Sequence, residues 1–443
     1  VLALLGFLSI ATLLALILFR VTSVLVALTL VPLVAGLAGG FGREVGAFAL
    51  DGIRNVTPTA ALLAFAVIYF GVMNDAGLFE PIIRRVVAIV GRDPLKIVVG
   101  TAAIAAVAHL DGAGASTFMV TVPAMLPLYL RLRLDPLALT AATALAAGTM
   151  NMLPWGGPTA RAATALHVSA SDLFIPDTVP LIAGLAAVLL VATRIGLRER
   201  ARLASLLHKD AHASPISDVE REKTPEPSLG EAEPRSPSAV GWWLNAALTL
   251  TTLAALFLDL LPLPVVFLIA CALALLFNCR DPREQRERLT AHGSAAMMMV
   301  TTVFAAGMFT GILTRSGMLG AMATSLVQAL PASMLRHLPV ATAVASMPLS
   351  LVFDPDSFYF GVLPVLANAA AAAGGSAVEV GRAALLGQMT TGFPVSPLTP
   401  STFLLVGLAE VDLADHQRRT IPYAFFVTLV MSVVALLTGA IGW

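Results

Sequence analysis

Apolar stretches long enough to cross a membrane recur along this chain. Residues 1–19, 21–40, 55–73 and 177–193 each run about 17–22 residues almost without charge, the length a helix needs to span hydrocarbon. Apolar residues follow one another instead of alternating, which argues against a β-barrel. Composition points the same way: 58% of residues are hydrophobic, 12% are charged and the mean hydropathy is +0.87. A soluble domain carries about 25% charged residues. The expected fold is therefore an all-α polytopic membrane protein with the lipid bilayer as its solvent. A formal net charge of zero gives no reason to expect a nucleic-acid partner. Residues 1–19 lack the basic start and A-x-A-like end of a signal peptide, and another apolar stretch follows Arg20. They read better as one arm of a tight transmembrane hairpin.

Within this apolar chain four segments cannot run as uninterrupted helix: 111–117 (DGAGAST), 151–159 (NMLPWGGPT), 354–357 (DPDS) and 391–401 (TGFPVSPLTPS). Non-helical backbone at membrane depth is tolerated only where protein or a water-filled cavity satisfies its polar groups. Paired discontinuous helices are the hallmark of substrate sites in repeat-built transporters. These four segments form two pairs. At an offset of 240 residues Gly71 and Gly77 map onto Gly311 and Gly317, Pro154 and Thr159 onto Pro394 and Thr399, and Asp172 onto Asp412.

Residues 197–240 are charged and rich in Pro and Ser, the composition of a disordered linker. They separate a first half, 1–196, from a second, 241–443. Basic groups set the orientation: Arg20, Arg84, Arg85, Arg92 and Lys96, Arg131 and Arg133, Arg194–Arg202, Arg280–Arg288, and Arg418 with Arg419 are expected on the cytoplasmic side. For the groups flanking 97–130 to share one side, that stretch must enter and return as a re-entrant hairpin. The second hairpin is expected at 338–373, and broken helices at about 135–168 and 383–408. Each half then has five spanning helices and one hairpin, and the odd count inverts the second half relative to the first.

Helix ends supply the chemistry. Pro158, Pro355 and Pro400 fit the first turns of restarted helices, and Ser116 or Thr117 fits an N-cap. Free N–H groups at such ends favour anions, carboxylates among them. Arg161 adds a planar fork suited to a carboxylate. Asp111, Asp354 and Asp356 oppose an anion unless they bind protons or a divalent cation travels with the substrate. Plainer readings stand beside these: Asp354 as an N-cap, Asp111 as a turn residue, Arg161 paired with a neighbouring carboxylate, and Gly156 and Gly157 as packing glycines. His109 and His292 read as packed or interfacial, and Met297–Met299 as core or lipid-facing. Cys271 and Cys279 lie roughly 12 Å apart along a helix, too far for a disulfide. The chain contains no H-E-x-x-H, no G-x-S-x-G and no paired cysteines, so an enzyme is not expected.

The strings "YFGVMNDAGLFEPII", "GRDPLKIVVGTA", "LDGAGASTFMVTVPAMLPLY" and "NMLPWGGPTARAA", with "FDPDSFYFGVLP" and "SPLTPSTFLLVGL" in the second half, resemble the citrate–divalent-metal:proton symporters (CitMHS), a family of the ion transporter superfamily. The resemblance implies two inverted repeats with elevator-like movement, and often dimers. It also implies uptake of a citrate complex with a divalent metal of the Mg²⁺ or Ca²⁺ type, by proton symport, across a bacterial cytoplasmic (inner) membrane. The metal is cargo, and no permanently bound cofactor is implied. Substrate would be held by Ser116, Thr117, Asn151, Gly156, Gly157, Thr159, Arg161, Ser357, Ser396, Thr399, Ser401 and Thr402. Asp111, Asp354 and Asp356 would serve the metal or the coupling proton. Ala113 stands where the resemblance leads one to expect a carboxylate, which leaves one fewer ligand. The alternative substrate is a free di- or tricarboxylate, or a gluconate-like acid, moved with protons and no metal.

Overall fold

A computed structural model describes residues 1–19, 21–91, 93–212, 239–258, 261–279, 281–329, 331 and 335–443. Eighteen α-helices are found among them. The first nine are α1 (Leu2–Leu18), α2 (Val24–Ala38), α3 (Glu44–Asp75), α4 (Glu80–Val90), α5 (Pro94–Ala108), α6 (Gly114–Arg131), α7 (Pro136–Met150), α8 (Gly157–Leu166) and α9 (Ala170–His212). The second nine are α10 (Ala239–Phe257), α11 (Leu263–Asn278), α12 (Pro282–Arg315), α13 (Met318–Ala329), α14 (Leu338–Leu349), α15 (Leu363–Ala372), α16 (Ala377–Leu385), α17 (Pro400–Leu408) and α18 (Leu413–Thr438). Each helix of the first set has a counterpart nine places later at close to the 240-residue offset. Among the described residues, five helical segments are long and apolar enough to cross a membrane: Glu44–Asp75, Pro94–Asp111, Ala170–Leu206, Pro282–Arg315 and Leu413–Thr438.

Local chemistry explains where helices start. Asp-Pro recurs at 93–94, 135–136 and 281–282, and each time the Asp side chain accepts a backbone N–H of the first turn while Pro opens the helix. Pro lacks only a donor that would be unsatisfied there anyway. The segment expected as a linker from 197 departs from that reading, because α9 continues through His212. Its Leu, Ala, Arg and Glu residues are good helix formers, and Arg202 pairs with Glu199 one turn away. The remainder of the expected linker, 213–238, lies outside the described residues. The second broken helix begins at Ala377 and not near 383, because Ser376 caps it through the Glu379 N–H. Two short helices, α4 and α13, follow the long α3 and α12.

The long helices α3 and α12 are counterparts and pack along each other. An added Cβ on Gly52 would fall 2.0 Å from the Gly307 carbonyl oxygen, and one on Gly311 2.6 Å from Gly52 Cα. Farther along, a Cβ on Gly71 would fall 2.5 Å from the His292 ring. Residue numbers rise on one helix as they fall on the other, so the two run antiparallel. The 240-residue offset that pairs Gly71 with Gly311 also pairs Gly52 with His292. The same contact therefore occurs twice, seen once from each half. Ion pairs close both ends of the crossing: Asp75 with Arg288 at 2.7 Å and His292 at 2.9 Å, and Asp51 with Arg315 at 2.8 Å. Helix α2 lies against α12, and α11 lies against α3.

Helices α5, α6, α9 and α18 pack around α7, whose residues Ala138–Met150 are all buried. Small Ala, Thr and Gly side chains allow this close approach. Residues from α5, α6, α7, α9 and α18 meet at one end of the bundle. Arg200 bonds Asp93 at 2.7 Å, Arg202 donates to the Arg133 carbonyl at 2.6 Å, and Arg419 bonds Asp135. The start of α5 and the end of α6 are thus tied to one turn of α9, so this hairpin returns to the side it left.

Gly52→Val is expected to destabilise the protein in detergent by about 1–3 kcal/mol or more, because overpacking here strikes backbone and not a flexible side chain. Gly46→Ala on the same helix meets nothing within 4 Å and should leave thermal melting unchanged or slightly raised. Equal melting of the two variants would remove the glycine contact from the scaffold.

Candidate functional site

Both hairpins turn on an aspartate that folds back on its own backbone. After a 3-10 turn at His109–Asp111, Gly112 adopts φ 72° and α6 begins. Asp111 accepts the Ala113 N–H at 2.8 Å and the Ser116 hydroxyl. Ser116 and Thr117 do not cap the helix, as their place in the sequence suggested. Gly112 makes the turn early, Ala113 takes the N-cap position, and its carbonyl lies 2.9 and 3.0 Å from the two hydroxyls. In the second hairpin Asp354 accepts the N–H groups of Asp356 and Ser357, each at 3.0 Å, and the Ser357 hydroxyl at 2.5 Å. Asp354 therefore caps the return arm, which runs as a π-helix over Ser357–Val362 before α15. A widened turn of this kind often marks a functional site.

The two helix breaks are held by threonines. Thr159 donates to the Met152 carbonyl at 2.9 Å, and its counterpart Thr399 donates to the Phe393 carbonyl at 2.7 Å. Thr402 also donates to Phe393, at 2.9 Å, and Ser396 donates to the Ser350 carbonyl at 2.6 Å. These four hydroxyls are buried and committed to backbone carbonyls. Gly156 has little room for a side chain: a Cβ would lie 2.4 Å from the Asn151 carbonyl.

A chain of hydrogen bonds joins the first hairpin to both breaks. Thr117 lies 2.8 Å from His109 Nδ1, His109 Nε2 lies 3.2 Å from Asn151 Oδ1, and Asn151 Nδ2 donates to the Met389 carbonyl at 2.6 Å. Asn151 Oδ1 can only accept, so Nε2 carries the ring proton and Nδ1 accepts from Thr117. His109, read from sequence as a packed residue, is the central link. Its spacing of eight residues from Thr117 gave no hint of this, since the Gly112 turn is what brings the two together.

Packing crosses between the halves. Helix α8, restarting after the first break, lies against the return arm of the second hairpin; α17, after the second break, lies against α6 of the first. A Cβ on Gly114 would fall 2.8 Å from the Phe393 ring and 3.7 Å from Ser401. On the α8 side, Arg161 Nε donates to Asp356 Oδ1 at 2.7 Å, one partner from each half. Gly157 leaves room for this, because a Cβ there would sit 2.8 Å from Arg161 Nη1. The pair lies on the wall of an open cleft of about 650 Å³. Ser23 and Leu25 at the start of α2, Phe360, and Met298, Met299, Thr301 and Thr302 of α12 also line it. Met298 and Met299 line this cleft.

The structure divides the expected site residues. Gly157, Arg161 and Asp356 reach the cleft. Asp111, Ser116, Asp354 and Ser357 shape the hairpin tips, while Thr117 and Asn151 belong to the network through His109. Gly156, Thr159, Ser396, Thr399 and Thr402 hold the breaks, and Ser401 stands beside the first hairpin.

The family model for citrate transporters (CitMHS) matches residues 7–387. A citrate transporter of Bacillus subtilis (strain 168) is 45% identical over 442 residues, covering 100% of both chains. The Mg(2+)/citrate complex secondary transporter of the same organism is 41% identical over 442 residues, with 99% of each chain covered. Among solved structures, the Alcanivorax borkumensis YdaH transporter superposes with a TM-score of 0.62 over 92% of this chain and 89% of its own. At 17% identity that likeness concerns fold alone.

Asn151→Ala strands the His109 N–H and the Met389 carbonyl, and is expected to cost about 1–3 kcal/mol of stability. His109→Ala should cost a similar amount. Because the two share one chain, the double variant is expected to lose clearly less than the sum of the singles. Strict additivity in thermal unfolding would show the chain to be uncoupled.

Proposed function

The chain belongs to the citrate transporter family, and from that premise we propose that it takes up citrate complexed with a divalent metal ion by proton symport across the bacterial cytoplasmic membrane. It is a transporter and not an enzyme. The observation that carries the finer reading is the Arg161–Asp356 pair, drawn from both halves and set in the wall of an open cleft. A citrate carboxylate takes Arg161, whose guanidinium holds carboxylates in bidentate fashion. Asp356, released by that exchange, turns to the cation of the same complex. Neither charge is left bare in apolar surroundings, which would be costly. The N-terminal turn of α8 beside Arg161 adds partial positive charge toward the anion.

Mg²⁺ and Ca²⁺ are bound by oxygen, and Mg²⁺ keeps several waters. Among the described residues no group of three or more His, Cys, Asp or Glu is placed to hold a metal. In this reading citrate and water supply most of the coordination, and Asp356 supplies one oxygen. The same observation favours a second reading, in which a free di- or tricarboxylate or gluconate-like acid travels with protons alone. Asp111 and Asp354 act through the hairpin tips that they organise. The proposal takes 1–196 and 241–443 as inverted-topology repeats, with the end where Arg200, Arg202 and Arg419 gather as the cytoplasmic one. The antiparallel contact of α3 with its counterpart α12 supports the inversion, and the positive-inside bias supports the orientation.

Labelled-citrate uptake into proteoliposomes under an imposed pH gradient tests this, with EDTA, Mg²⁺, Ca²⁺ or Zn²⁺ present in turn. Uptake is expected only with metal; equal uptake in EDTA would establish the second reading. Arg161→Gln is expected to weaken citrate binding by about ten- to a hundredfold, the worth of a charge-assisted hydrogen bond. Gly157→Ala should weaken it in the same direction by pushing the guanidinium aside. Asp356→Asn is expected to reduce the preference for metal-loaded over metal-free citrate.

A further inference from the structure

Helix α9 presents one inward stripe to the bundle, on which Leu173, Asp177, Leu181, Val188, Ile195 and Glu199 are all buried. It therefore carries two buried acids, in opposite circumstances. Glu199 accepts from the Asp135 N–H at 3.0 Å and from Arg202 at 2.8 Å, with Arg419 at 3.7 Å. Asp177 is 0% exposed, and neither of its carboxylate oxygens has a hydrogen-bond partner. A carboxylate anion cannot be held in that state, because an ion removed from water needs a partner or must be neutralised. As packed, Asp177 is the neutral acid. Leu173 and Leu181, one turn either side, show what packing alone asks for at this place.

The position connects Asp177 to the moving parts of a transporter. It lies seven residues into α9, about 10 Å along the axis from the helix start. Helix α9 packs against α7 and α8, the two arms of the first break, and against α16, the first arm of the second. The charged groups on these neighbours are few. Arg382 of α16 lies within electrostatic reach, but its guanidinium donates to the carbonyls of Asp172 and Ala440. Glu379, also on α16, accepts the Gly442 N–H. His167 closes α8 as its C-cap, and its Nδ1 has no hydrogen-bond partner; Arg161 of α8 pairs with Asp356. On α5 and α18, Lys96 and the Asp415–Arg419 group belong to the Glu199 end, with Asp135 before α7. His109 and His416 are bonded at both ring nitrogens. An ionisable group buried inside a membrane bundle, with no structural bond to explain it, points to a proton relay.

We propose that Asp177 carries the coupling proton: it is neutral while α9 packs against α8 and α16 as here, and it ionises beside Arg382 when that packing opens to water. The step is a proton transfer only. The carboxyl O–H bond breaks, the proton passes to water on the side then open, and the anion left behind gains Arg382 as its counter-ion. This inference rests on the proton-symport reading above and adds the residue that serves it.

The test compares wild type with Asp177→Asn in proteoliposomes, using Mg²⁺ and labelled citrate as the probe. Two modes are measured: exchange of labelled for unlabelled citrate without a gradient, and accumulation under an imposed pH gradient. Asparagine is isosteric with the neutral acid, so the variant is expected to fold, to melt as wild type does and to exchange near the wild-type rate. It should accumulate citrate no further than the outside concentration, and its exchange rate should lose the pH dependence of wild type. Accumulation by Asp177→Asn under the gradient overturns the proposal. Loss of exchange also overturns it, since the neutral form would then not suffice for the packed state. Wild-type uptake that ignores the pH gradient would overturn proton symport itself, and this inference with it. That outcome is read from wild type alone, so the two failures are distinguishable.

Discussion

A backbone that leaves the helix inside an apolar bundle must find partners for its amides and carbonyls, and most of this protein is arranged around that requirement. The chain does so four times. Each break borrows from its own neighbourhood first: Thr159 and Thr399 reach back to carbonyls a few residues earlier, and Asp111 and Asp354 gather the N–H groups of the turns that they begin. What cannot be met locally is met by the other half, as Asn151 meets the Met389 carbonyl. The breaks stand because they stand together, and the fully buried α7 with its small side chains lets them come close enough.

Electrostatics follows from the same crowding. Once most polar atoms are committed to backbone, few charged groups remain free to answer a substrate. Arg161 and Asp356 neutralise each other across the seam between halves. A pair of this kind contributes little to stability, and its value lies in being exchangeable. In the proposed function, a ligand that brings both an anion and a cation would replace each partner with an equivalent one. The contrast between Glu199, bonded on several sides, and Asp177, bonded on none, follows the same logic at greater depth.

Much of this was legible in the sequence, and the illegible part has a common cause. Apolar stretches, prolines at helix starts and the 240-residue offset are local or periodic signals, so helices, breaks and counterpart elements could be placed from residues alone. The pairing of Arg161 with a carboxylate was among the readings left open, and the partner is Asp356, 195 residues away. The linkage through His109 was missed because a turn read at Asp111 and Gly112 does not say which side chains it brings together. The commitment of Ser396 and Thr402 to carbonyls was missed for a similar reason: a hydroxyl near a break looks the same whether it faces a ligand or a backbone. The extension of α9 to His212 was hidden because charge was taken as a sign of disorder, whereas Arg and Glu one turn apart are also good helix partners.

The crossed packing of half-helices also bears on how the protein is made. Asn151 is synthesised 238 residues before its acceptor at Met389, and α8 precedes the hairpin arm that it leans on by a similar stretch. At about 5–20 residues per second, some 10–50 seconds separate the two. During that interval the first half sits in the membrane with an open polar seam and an arginine without its carboxylate. Assembly of this transporter is thus a problem of keeping a half-built site wet, guarded or loosely folded until its other half arrives.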